Sequence, residues 1–164
     1  MKRALRTIAT LLFLFYLFVL LKVTLFRTSV TLFDVTFDEN NGYVTSLETA
    51  FERANFIPFY SVYYYLISVQ EPLEVGLVNV FGNILLFIPF GFLLPLAFRR
   101  FSRLRSALLV MALTSLLFEV IQMLMAIGHF DIDDVLLNAI GGLIGYGFFR
   151  LSALREGPTA PAGS

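Results

Sequence analysis

Four stretches of the chain are apolar over about the 20 residues that a helix needs to cross a bilayer. They run from Thr7 to Phe26, Leu77 to Phe98, Ser106 to Ile127 and Asp134 to Leu154. The pattern predicts an all-α membrane protein with four transmembrane helices. In the fourth stretch the uninterrupted apolar run ends at Phe149, so Arg150 must snorkel to the headgroups for the helix to reach full length.

The stretch from Asn55 to Val69 is also apolar and aromatic, but it is too short to span and carries Pro58 near its start. It suits a short helix lying in the interface or dipping partly into it. Ahead of it, alternation at Phe33, Val35 and Phe37 followed by the turn pair Asn41-Gly42 favours a hairpin. Thr45 with Glu48 three residues later matches a capping box and predicts a short helix to about Ala54. The final polar, Pro- and Gly-containing residues have nothing to bury and are expected to be disordered. The chain thus divides into an N-terminal membrane anchor (1–26), an extracytoplasmic loop (27–54), a membrane domain (55–154) and a tail (155–164). The N-terminal run is long for a signal-peptide core and no Ala-x-Ala-like site follows it, so it reads as an uncleaved signal anchor. Lys22 near its far end can snorkel and is assigned no chemistry.

Charge supplies the orientation. Lys2, Arg3 and Arg6 precede the first span, Arg99, Arg100, Arg103 and Arg105 follow the second, and Arg150 and Arg155 follow the fourth. With four spans all three clusters fall on one side, which the positive-inside bias makes the cytoplasm, with both termini there. A fifth span at Asn55 to Val69 would break this agreement. The opposite side receives the 27–76 loop, with two arginines against seven acids, and the short 128–133 loop.

Composition narrows the function classes. Hydrophobic residues make up 58% of the 164, and 12 Lys+Arg balance 12 Asp+Glu in short flanking clusters. That is an integral membrane protein with no basic surface for nucleic acid. The absence of cysteine removes thiolate chemistry, disulfides and Cys-ligated zinc.

Polar residues inside the spans gather at one depth. Asn79 and Asn83 share a face of the second span, Glu119 and Gln122 a face of the third, and Asp134 and Asn138 a face of the fourth, continued by Gly141 and Gly145. His129, Asp131, Asp133 and Asp134 stand beside them at the mouth of the fourth span. Acids near hydrocarbon need a partner, a cation or water. The spacing predicts a polar cavity opening to the outer side, with Asn79, Asn83, Glu119, Gln122, His129, Asp131, Asp133, Asp134 and Asn138 as candidate ligand-binding residues.

Plainer roles exist for each. The asparagines can hydrogen-bond between helices, Gly141 and Gly145 can allow close packing, and Asp133 or Asp134 can cap the fourth helix. His129 can pair with Asp131 or Glu119 or sit solvated in a loop. Glu119, read as about 12 Å inside its span, fits a structural role least well. It is the candidate general acid or base, and Asp131, Asp133 and Asp134 are candidate metal ligands, although their spacing is not that of an EF-hand. No nucleophile, phosphate loop or zinc signature accompanies them, and the sequence names no cofactor.

Three blocks carry a family resemblance: Asn79 to Gly91 (NVFGNILLFIPFG), Phe118 to Gln122 (FEVIQ), and Phe130 to Tyr146 with its Asp-Ile-Asp-Asp and Asn-Ala-Ile-Gly-Gly elements. With Asn55-Phe-Ile-Pro-Phe59 they resemble the VanZ-like family of bacterial membrane proteins over about Asn55 to Tyr146. The resemblance implies a small multi-pass protein of the bacterial plasma membrane, in a family named for a glycopeptide-resistance accessory associated with tolerance of teicoplanin. Many relatives place an arginine shortly before the Asp-x-Asp-Asp run where this chain has His129, so an imidazole stands in place of a permanently charged, bidentate guanidinium.

The expected function is binding of a cell-wall precursor, a lipid-linked ligand or an envelope protein at the outer polar cavity, with the lipid bilayer as surroundings. The alternative is an intramembrane, metal-dependent enzyme acting on a lipid or wall precursor. A scaffold whose polar residues only pack helices is the third reading.

Overall fold

The computed structural model describes residues 2–30, 47–67, 73–125 and 127–155. Among these residues six α-helices follow in order: α1 (Lys2–Val30), α2 (Leu47–Glu52), α3 (Tyr60–Ile67), α4 (Leu73–Ala97), α5 (Leu104–Leu124) and α6 (Ile132–Arg155), with a 3₁₀ turn at Arg99–Phe101 between α4 and α5. By length and composition α1, α4, α5 and α6 can cross a membrane, over Ala4–Leu25, Gly76–Ala97, Leu104–Leu124 and Ile132–Ser152. These are the four expected spans. Their outward faces carry exposed side chains such as Leu11, Phe15, Leu85, Leu109, Leu113 and Leu151, which in a bilayer meet acyl chains rather than water.

Between the first two spans the described residues of the aromatic stretch form the eight-residue α3, none of whose residues is buried. The expected helix ending near Ala54 is α2. The alternation at Phe33, Val35 and Phe37, the Asn41-Gly42 turn, Thr45 of the capping box and the tail beyond Arg155 lie outside the described residues.

Helix packing follows from small residues. A Cβ built on Gly141 or Gly145 of α6 would strike the backbone carbonyl of Ile84 or Ile88 in α4, and one on Gly91 of α4 would strike the carbonyl of Gly142. The two backbones therefore run in direct contact along this seam, as small-xxx-small spacing allows. Gly142 in turn leaves room for the sulfur of Met111 from α5. Pro89 and Pro95 lie within α4, which continues through both. Pro89 removes the N–H that would close on Leu85, and the Tyr16 hydroxyl of α1 donates to the adjacent carbonyl, Leu86.

The core at the α1–α4–α5 junction is aromatic: Phe13, Phe87, Phe90 and Phe118 pack with Leu20, Leu94, Met111 and Tyr146. The Phe13 ring meets Phe90 at 5.3 Å and Phe98 edge-on at 5.5 Å between centroids. A smaller cluster of Ala50, Met123 and Phe130 seats α2 against the end of α5 and the residues that lead into α6.

The bundle has two chemically distinct ends. At one, the Tyr146 hydroxyl donates to the Ser102 carbonyl at 2.6 Å, joining α6 to the arginine-bearing turn after α4. At the other, Gln122 of α5 donates to the Thr24 carbonyl of α1 at 2.8 Å, beside the α5–α6 connection and its aspartates.

Candidate functional site

The aspartate run lies where α5 hands over to α6. Asp131 immediately precedes α6, and its Oδ1 accepts the N–H of Asp133 at 2.9 Å, so it is this residue, rather than Asp133 or Asp134, that caps the helix. The same Oδ1 accepts the side-chain amide of Asn55 at 2.9 Å. The Asp131 N–H donates to Oε2 of Glu119 at 3.1 Å. A buried carboxylate in α5 thus receives the backbone at the entry of α6.

Asn55 binds the same strip through its backbone. Its N–H donates to the Phe130 carbonyl at 2.7 Å, and its carbonyl accepts the Ile132 N–H at 3.0 Å, forming a single parallel bridge opposite Asp131. Its side chain also turns the following residues, with Oδ1 accepting the Ile57 N–H at 2.9 Å and Nδ2 donating to Ser61 at 3.0 Å. Phe56 stacks on Phe130 at 5.0 Å between ring centroids.

Asp133 reaches across to α3. Its two carboxylate oxygens accept the N–H groups of Phe59 and Val62, donors that a helix start leaves without intrahelical partners. The negative group also complements the dipoles of both α3 and its own α6. Phe59, at the turn into α3, has φ of 67°, a left-handed conformation that costs a non-glycine residue about 1–2 kcal/mol and here directs its N–H at the carboxylate.

Asp134 turns the other way, and Asn83 of α4 donates its side-chain amide to Oδ1. One turn further along α6, Asn138 donates to Ser115 of α5 at 2.8 Å. Asn83, Ser115, Glu119, Asp131, Asp133 and Asn138 are all buried. Each acid thereby meets N–H donors, which is how a protein interior accommodates carboxylates.

The nine candidate residues are therefore only partly united. Asn83, Glu119, Asp131, Asp133, Asp134 and Asn138 lie near one end of the bundle, where Glu119, Asp131 and Asp133 link α5, α6, Asn55 and α3, Asn83 holds Asp134, and Asn138 holds Ser115. Asn79 is half-buried one turn before Asn83, and Gln122 points toward α1. His129 is exposed and does not pair with Asp131 or Glu119. Because α5 ends at Leu124, Glu119 lies five residues, about 7.5 Å, from the helix end, shallower than the 12 Å expected. The three aspartates diverge to Asn55, α3 and Asn83, so they do not converge as ligands. Among the described residues no three His, Asp or Glu side chains group as metal ligands.

The open space lies above this network. A cleft of about 780 Å³ is lined by Glu52, Arg53, Asn55 and Ser61, by Tyr60, Tyr64 and Tyr65 of α3, and by His129. Asn55 belongs to both levels, since it faces the cleft and grips Asp131. Neither Asn55 nor Ser61 was singled out by polar residues within spans, because both lie in the short aromatic stretch outside the four spans. The signal that marks them is the Asn-x-Ile-Pro-Phe element together with the tyrosines that follow.

Fold and site together define a polytopic helical membrane protein with hydrogen-bonded carboxylates under a tyrosine-walled cleft at one end. The chain belongs to the VanZ/LLP1 family, whose sequence model matches residues 13–153. The match reaches back into α1, beyond the Asn55 to Tyr146 stretch that carried the resemblance, in keeping with the packing of Phe13 and Tyr16 on α4. The chain is 44% identical over 74 residues to Protein VanZ of Enterococcus faecium, a stretch that amounts to 45% of each chain. The match spans less than half the length of that relative. No solved structure matches the chain.

Proposed function

We propose that this protein is a non-catalytic component of the bacterial plasma membrane that binds a cell-wall or lipid-linked ligand, or an envelope partner, in the cleft at its aspartate end, and so alters glycopeptide susceptibility. The observation that carries the reading is the construction of that cleft. Its wall, residues 53–65, is not a loose loop but is fastened by Asn55 and Asp133 to the start of α6. Tyrosines, Arg53, Glu52 and His129 then present aromatic faces, hydrogen-bonding groups and charge to a ligand. The buried residues Asn83, Glu119, Asp131, Asp133 and Asn138, with the half-buried Asp134, act as its foundation. The arginine clusters support placing the cleft at the outer leaflet. Likeness to Protein VanZ supports a role in glycopeptide tolerance, with teicoplanin the compound to examine first.

The metal-dependent enzyme finds no support in the geometry, because the three aspartates are divided among different partners.

The test is teicoplanin susceptibility of a bacterial host producing the full chain or the variants Arg53→Ala, Tyr60→Ala and His129→Ala, with membrane amounts of each measured. Raised tolerance with the parent chain, lost in the cleft variants at equal membrane amounts, is expected. Tolerance unchanged in all three variants would overturn the assignment to the cleft.

A further inference from the structure

A second cavity, of about 600 Å³, lies in the membrane-facing surface between α1 and α5, with α4 as its floor. Its walls are apolar, with Phe13 and Leu17 from α1, Leu94 and Phe98 from α4, and Val110 and Phe118 from α5. From Val110 to Phe118 it follows about 12 Å of helix, most of the roughly 15 Å depth of one leaflet's hydrocarbon. It runs toward the arginine end, where Phe101 of the 3₁₀ turn also lines it.

That mouth is strongly basic. The guanidinium of Arg100 sits over the Phe101 ring, 5.1 Å from its centroid, a cation–π contact that holds charge at the groove. Arg99 and Arg103 are exposed on the same short turn. Ser106 fixes the turn by donating to the carbonyls of Arg100 and Arg103 at 3.0 and 2.8 Å. Arg6 of α1 lies seven residues, about two turns, beyond Phe13 toward this end. The described acids, Glu48, Glu52, Glu74, Glu119, Asp131, Asp133 and Asp134, all belong to the opposite half of the bundle, so nothing described neutralises these arginines.

We propose that this groove binds one anionic glycerophospholipid, with an acyl chain along the α1–α5 cleft and the phosphate held by Arg99, Arg100 and Arg103. Length, apolar lining and a basic mouth match the two halves of such a lipid. A zwitterionic lipid would fill the groove equally well and gain less at the turn. The proposal is independent of the cleft at the aspartate end, about which it makes no assumption.

The experiment is native mass spectrometry of the purified full chain offered phosphatidylglycerol and phosphatidylcholine with the same acyl chains. One phosphatidylglycerol retained per chain, in preference to phosphatidylcholine, is expected. Arg100→Gln and Arg103→Gln should each lower that preference roughly fivefold, the equivalent of about 1 kcal/mol per basic residue. Val110→Trp should reduce retention of both lipids by filling the groove, while Arg150→Gln, at the same end on α6, should change neither. Equal retention of the two lipids by the parent chain, an equal loss from Arg150→Gln, or a lipid-free dimer would overturn the proposal. The arginine variants leave the core intact, so they decide the matter even if Val110→Trp fails to fold.

Discussion

The carboxylate of Asp133 accepts the backbone N–H of Phe59, seventy-four positions earlier in the chain. One buried side chain in the first turn of α6 thereby anchors the start of α3 and, with it, the tyrosine wall of the cleft. Asp133→Ala leaves the N–H groups of Phe59 and Val62 without this acceptor, at a cost of about 3 kcal/mol for two charge-assisted bonds in a partly buried site. Hydrogen exchange should register the change as faster exchange at Phe59 through Tyr63, with α4 and α5 little affected. Unchanged exchange in α3 would show that its packing on α4, not Asp133, holds it in place.

The spans were legible in the sequence because each is a run of apolar residues of bilayer length, a signal that does not depend on tertiary contacts. The gathering of Asn83, Glu119, Asp134 and Asn138 was legible too, since helical spacing alone sets their faces and depth. What each acid touches was not. Asp131, Asp133 and Asp134 are chemically identical in the string, and their three different destinations depend on where α3 and residue 55 come to rest. The division of Gln122 from Glu119 was hidden for a similar reason: residues three apart share a broad face, yet one meets α6 and the other α1.

The α4–α6 seam makes a prediction by contrast. Gly141→Ala places a methyl group against the Ile84 carbonyl and must separate the helices, which should cost about 2 kcal/mol or more by overpacking. Gly147 lies in the same helix with nothing within 4 Å of a built Cβ, so Gly147→Ala should leave stability unchanged or raise it by up to about 1 kcal/mol. Thermal unfolding in detergent compares the two. Equal effects at both positions would mean that the helices are not in backbone contact.

Ser115 and Asn138 form a buried hydrogen bond between α5 and α6. In membranes such pairs couple by about 0.6 kcal/mol on average. A double-mutant cycle with Ser115→Ala and Asn138→Ala should return a coupling of about that size, with both single variants lowering stability. A zero coupling would place the value of Asn138 elsewhere, in a contact other than Ser115.

The division of the aspartates predicts indifference to chelation. Asp131, Asp133 and Asp134 direct their oxygens to Asn55, to the N–H groups of α3 and to Asn83. A divalent cation shared among them would have to break these bonds. Thermal unfolding of the purified chain should therefore be the same with and without EDTA, and elemental analysis should find less than one metal ion per chain. A stoichiometric metal released with loss of stability would reopen the enzyme reading.

Glu119 separates structural support from proton transfer. Its Oε2 accepts the Asp131 N–H at 3.1 Å at the entry of α6, and the carbonyl oxygen of glutamine can accept the same donor without carrying a charge or titrating. Glu119→Gln should therefore retain the fold, within about 1 kcal/mol, and retain any effect of the chain on teicoplanin susceptibility. Glu119→Ala leaves the Asp131 N–H without this acceptor and should cost about 1–3 kcal/mol, lowering the amount in the membrane and the phenotype together. If Glu119→Gln instead reached the membrane at full amount but abolished the phenotype, a carboxyl that gives or takes a proton would be required, and Glu119 would return as a catalytic candidate.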